Sequence, residues 1–117
     1  MNQKPFIIKR NDTLPELSIN IKTRNCINAV IPFDLTDVAS CTFSMADECG
    51  NVVIASNPAQ VTSTTGGTVQ YSWQDGDTSV SGKFQGEFEL IFNDGKKISV
   101  PNLGAIEIFI DQDVNNL

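Results

Sequence analysis

Large apolar residues fall on alternate positions through most of this chain. Val69, Tyr71 and Trp73 alternate with polar residues, and Phe84, Phe88, Leu90 and Phe92 alternate with Lys83, Gln85, Glu87 and Glu89. A period of two places one face of a strand on a core and the other in water, whereas an amphipathic helix repeats near 3.6. Asp75-Gly76-Asp77-Thr78 lies between these two arms and Asn93-Asp94-Gly95 follows the second. Both are rich in residues that accept positive φ, which predicts two successive hairpins.

The same pattern extends over the rest of the chain. Phe6 to Lys9 predicts a first strand, and Leu17, Ile19 and Ile21 alternate with Ser18, Asn20 and Lys22 in a second. Ala29 to Leu35 is extended, but Pro32 cannot donate to a ladder, so this segment belongs at an edge or in a loop. Ala39, Cys41, Phe43 and Met45 share one face, and Val52 to Ile54 returns antiparallel to them after a turn at Glu48-Cys49-Gly50-Asn51, with Asn57-Pro58 closing that hairpin. Ala59 to Val61, Ile98 to Val100 and Ile106 to Ile110 complete the set. About eight or nine short strands separated by Gly, Asn, Asp and Pro predict an all-β, immunoglobulin-like antiparallel β-sandwich. Trp73 and Tyr71 are expected in or beside its core, each with its polar atom on a backbone partner.

Length fits one such domain over residues 1–117, since a chain of this size removes about two-thirds of its unfolded surface from water. Eight basic residues face fourteen acidic ones, a net charge of −6, which repels a phosphate backbone, so no nucleic-acid partner is expected. Lys96-Lys97 reads as the solvated end of a hairpin. No apolar run approaches the ~18 to 20 residues that span a bilayer, and Phe6-Ile7-Ile8 is too short for a signal-peptide core, so no membrane partner is expected. Three cysteines, an odd number with no CxxC spacing, imply neither a disulfide framework nor a zinc knuckle and fit a reducing compartment. Cys41 is expected buried, and Cys26 and Cys49 in loops.

Candidate chemistry is thin. The chain has no histidine, which removes the commonest general base and transition-metal ligand. Glu87 and Glu89 project from one strand face about 7 Å apart, a spacing open to a glycosidase pair, but a flat exposed face offers no pocket for a sugar. Asp75-x-Asp77 and Asp111-x-Asp113 raise a calcium site, yet the rest of an EF-hand loop is missing and turn-forming aspartates explain both. Thr64-Thr65-Gly66-Gly67 lacks the lysine and helix of a phosphate cradle and reads as a turn. No catalytic residue, cofactor or metal is expected.

Several segments resemble a known family. These are Phe6-x-Ile8-x-x-Asn11-Asp12-Thr13-x-Pro15, Pro32-Phe33-Asp34-Leu35-Thr36 leading to Cys41-Thr42-Phe43-Ser44-Met45, Val69-x-Tyr71-x-Trp73-x-x-Gly76-Asp77-Thr78 with Gly82-x-Phe84-x-x-Glu87-Phe88-Glu89, and Asp94-Gly95 with Pro101-Asn102-x-Gly104. In order and spacing, from Phe6 to Ile110, they resemble the N-terminal domain of tailed-phage baseplate upper proteins and related short phage tail proteins. Asn11 stands where that family most often has Gly, a change that keeps access to positive φ. The family continues into a helical region, whereas this sequence stops at Leu117, so a stand-alone subunit and a piece of a longer chain are both open.

The resemblance implies an immunoglobulin-like sandwich that serves as a virion building block in the tail or baseplate, made in the host cytoplasm and oligomeric within the particle. Its partners would be other virion proteins or copies of itself. On that reading Ile7, Pro32 and Phe109 form the expected interaction surface, because Phe109 is out of phase with Ile106, Ile108 and Ile110 and unpaired edges need cover. The alternative is a small carbohydrate-binding module for host-surface glycans, which would normally show more than one outward aromatic.

Overall fold

The computed structural model describes residues 5–101 and 104–112, and these hold eleven strands and no helix. They are β1 (Phe6–Lys9), β2 (Leu17–Asn20), β3 (Lys22–Arg24), β4 (Val30–Pro32), β5 (Val38–Asp47), β6 (Val52–Pro58), β7 (Gln60–Ser63), β8 (Thr68–Tyr71), β9 (Gly82–Phe92), β10 (Lys97–Val100) and β11 (Ile106–Asp111). A six-stranded sheet runs β1-β11-β9-β5-β6, with β10 also on β9, and a three-stranded sheet runs β2-β8-β7. The chain is an all-β, immunoglobulin-like sandwich of these two sheets. β3 and β4 form a separate two-stranded hairpin.

Alternation along β9 puts Phe84, Phe88 and Leu90 inward, and β5 answers with Cys41, Phe43 and Met45. Facing them, the small sheet contributes Leu17, Val69 and Tyr71. At the centre the Phe43 ring stacks on Tyr71 with centroids 4.6 Å apart, lies 5.0 Å from Phe88, and meets Trp73 edge-on at 5.9 Å. Such contacts add about 0.5–1.5 kcal/mol per pair beyond area burial. Trp73 Nε1 donates to the Pro15 carbonyl, as expected, but the Tyr71 hydroxyl donates to a side chain, Asp77 Oδ2, at 2.6 Å.

Several sequence expectations need correction. The strand count among the described residues is eleven instead of eight or nine, partly because the expected second strand breaks at Ile21. There the Ile21 N–H leaves the ladder for the Gly67 carbonyl and the chain turns into β3. Pairing is not wholly antiparallel, since β1 lies parallel to β11 with Ile7 opposite Phe109. Val69–Trp73 and Gly82–Phe92 are not the arms of a hairpin, because β8 belongs to the small sheet and β9 to the large one. The intervening turn carries the chain across the sandwich. Of those two successive hairpins the second, β9–β10, forms as expected, and so does the antiparallel return of Val52 to Ile54 onto β5. Ala39 is exposed, bulged out where the β5–β9 register shifts between Val38 and Ser40. Pro58 sits within β6 opposite Thr42 instead of closing it.

Two local features shape one end of the molecule. Asn11 takes φ 69°, the conformation its side chain tolerates. The β3–β4 hairpin forms an arm whose six strand residues are all exposed, and the molecule is drawn out to 51 Å along one axis against 27 and 25 Å along the others. At its base the Phe33 N–H donates to the Ile21 carbonyl and the Phe33 ring lies 6.3 Å from Phe92.

Candidate functional site

Two of the three expected surface residues come together. β1 is an edge strand, and its parallel register places Ile7 beside Phe109, which in turn lies opposite Lys83 of β9. Ile7 is 59% exposed, while Phe109 is half-buried under the Lys83 ammonium, 5.5 Å from its ring centroid. An exposed cation over an aromatic face contributes about 0.5–1 kcal/mol and here holds the ring against the sheet. A cleft of about 510 Å³ opens beside it, lined by Lys9, Lys83, Phe109, Asp111 and Gln112 among others. Pro32 is exposed but lies on the arm, apart from this pair. The surface expected as one is therefore two.

Asp77 is taken up by the turn. Its Oδ2 accepts the Tyr71 hydroxyl and, at 2.8 Å, the Gln74 N–H. This is the turn-forming role expected of it, and Asp75 stays exposed. Asp111 ends β11, and Asp113 lies outside the described residues. Glu87 and Glu89 share the outer face of β9 opposite Ser44 and Thr42, on a flat sheet surface. Thr78, expected only as part of the turn, is buried, and its hydroxyl donates to the Asp12 carbonyl across the sandwich end.

Burial pushes the Tyr71 hydroxyl up to about 12, reinforced by its bond to Asp77. An acid whose pKa rises on folding contributes stability that is complete below the unfolded value near 10 and is lost as pH climbs toward 12. Tyr71 is the chain's one tyrosine, so tyrosinate absorbance reports it alone. The expected result is a midpoint near 12 in the folded protein and near 10 in denaturant; equal midpoints would contradict the buried hydrogen bond.

Cysteine placement agrees with expectation: Cys41 is buried, and Cys26 and Cys49 are exposed. Desolvation raises the Cys41 thiol to about 11, which suppresses the reactive thiolate. A thiol reagent at neutral pH is expected to modify two cysteines quickly and the third only after denaturant is added, with no prior reduction. Three fast reactions would show that β5 is wrongly faced.

No family model and no curated protein matches this chain. Among solved structures it is similar to CopC from Methylosinus trichosporium OB3b, with a TM-score of 0.52 and 12% identity over 94% of this chain and 86% of that one. At that identity the likeness speaks for the β-sandwich fold alone. A transition-metal site finds few donors here. The sequence lacks histidine, Met45 is 1% exposed within the core, and no group of three or more Cys, Asp or Glu gathers among the described residues.

The sequence reading missed the arm. Its signal was present in the run Ala29-Val30-Ile31-Pro32, where apolar residues follow one another without alternation. Such a run serves either a strand buried on both faces or one that needs a partner outside the domain.

Proposed function

We propose that this chain is a non-enzymatic structural component of a bacteriophage virion, in the tail or baseplate, working through protein–protein contacts. The observation that carries the reading is the Ile7–Phe109 pair, an apolar patch on the outer face of the large sheet beside the open edge of β1. An edge strand presents unpaired N–H and C=O groups, and with an apolar side chain beside it the natural use is burial against another protein surface. The family resemblance, which runs the length of the sandwich, gives that use its setting.

Glycan recognition is less well supported. Sugar platforms stack rings on open aromatic faces, and Lys83 occupies one face of Phe109. The deciding experiment is mass spectrometry of purified particles from the source phage, with antibody labelling to locate the chain at the tail or baseplate. Absence from mature particles together with glycan binding by the purified protein would replace the virion reading with the carbohydrate-binding one.

A further inference from the structure

The β3–β4 arm and a groove at the far end of the sandwich match in charge and polarity. Between Ile21 and Phe33 the charged residues are Lys22 and Arg24, both basic, in a chain of net charge −6. Three large apolar side chains stand exposed on the arm: Ile27 at 79%, Val30 and Ile31. The groove, about 350 Å³, lies between the β5–β6 turn and the segment entering β9. Its walls include Asp47, Glu48 and Asp77 against one lysine, Lys83, and its apolar side is formed by the exposed Val53 and Val80. The Asn51 backbone N–H, aided by the Asn51 side chain, holds the Asp47 carboxyl below its ordinary range.

An arm cannot fill the groove of its own chain. Its base at Phe33 adjoins Phe92, the last residue of β9, while the groove is lined by Gly82 and Phe84 at the strand's start. Eleven residues of strand separate those ends by roughly 33 Å. From Ile21 to the tip at Ile27 the arm reaches at most about 20 Å. We propose that the arm of one copy docks in the groove of the next, so that copies join head to tail. Lys22 and Arg24 meet the carboxylates, and Ile27, Val30 and Ile31 cover Val53 and Val80. Copies that otherwise repel through their shared negative charge attract at this one junction. The contact is heterologous, and it produces a ring if the rotation between neighbours closes and a filament if it does not. One hairpin in one groove is a small interface, so association is weak in dilute solution and grows with local concentration. The inference holds whatever particle the chain serves.

Nature has placed reporters on both sides. Cys26 sits on the arm beside Ile27, and Cys49 lines the groove. Cys26→Ser and Cys49→Ser proteins, alone and mixed at millimolar concentration, are treated with a short bis-maleimide. A head-to-tail contact yields cross-linked dimer in the mixture, where Cys26 of one variant meets Cys49 of the other, and only background in each variant alone. The wild type yields a ladder of multimers, and raising salt from 20 to 500 mM cuts the yield several-fold by screening the charges. Dimer from either variant alone would mean a symmetric contact and overturn the proposal, as would a mixture that stays monomeric. Because the test uses the purified chain, its failure is separate from any result on particles.

Discussion

Phe88→Ala is expected to cost about 3–5 kcal/mol, a large share of the 5–15 kcal/mol that holds a domain of this size together. Phe88 is fully buried at the middle of β9, opposite Phe43 on β5 and Val100 on β10, and its ring packs on that of Phe43. Removing it leaves a void that Phe43 cannot fill, because Phe43 is held by Tyr71 on its other side. The measurement is a denaturant melt followed by fluorescence of Trp73, the chain's one tryptophan and a member of the same cluster. A loss under about 1 kcal/mol would mean that the inward face of β9 has been assigned wrongly.

Gly67→Ala is the second large effect. Gly67 has φ +69°, and a Cβ there would lie 2.6 Å from the Ile21 carbonyl oxygen, 2.8 Å from that of Phe33 and 3.0 Å from the Phe33 nitrogen. All three are backbone atoms at the base of the arm, so no side chain can swing aside. Backbone strain and overpacking together should cost about 2–5 kcal/mol. Gly76 supplies the control, since it also has positive φ, +91°, but a Cβ there meets nothing within 4 Å. Gly76→Ala should lose only the conformational part, about 1 kcal/mol. Equal losses at the two positions would show that the close approach does not matter.

Alternation made the faces of the strands legible, because a period of two fixes which side chains share a surface. Phe43, Met45, Phe84, Phe88 and Leu90 are inward for that reason. It could not choose partners. β8 and β9 read as a hairpin since both alternate and a turn lies between them, but hydrogen bonding to β2 and β7 on one side and to β5 and β11 on the other decides their sheets. Nor does a period of two reveal a bulge, which is why Ala39 was expected inside. Of the candidate surface, Ile7 and Phe109 were legible singly as residues out of phase with their neighbours or at an edge. Their adjacency was not, since it depends on parallel pairing between strands about a hundred residues apart. Pro32 signalled an edge correctly, but its belonging to a projecting arm depends on Ile21 and Phe33 closing over Gly67.

That parallel pairing also sets the order in which the molecule can form. β11 is hydrogen-bonded to β1 on one side and to the first half of β9 on the other, through Ile106 to Ile110. A chain emerging from the ribosome thus makes β1 long before its partner strand, and the first half of β9 lacks its neighbour on that side until Ile106 to Ile110 arrive. Closure across so long a stretch of sequence places folding among the slow topologies, on the order of milliseconds to seconds. Among the described residues, the strand made last is the one that locks the first in place.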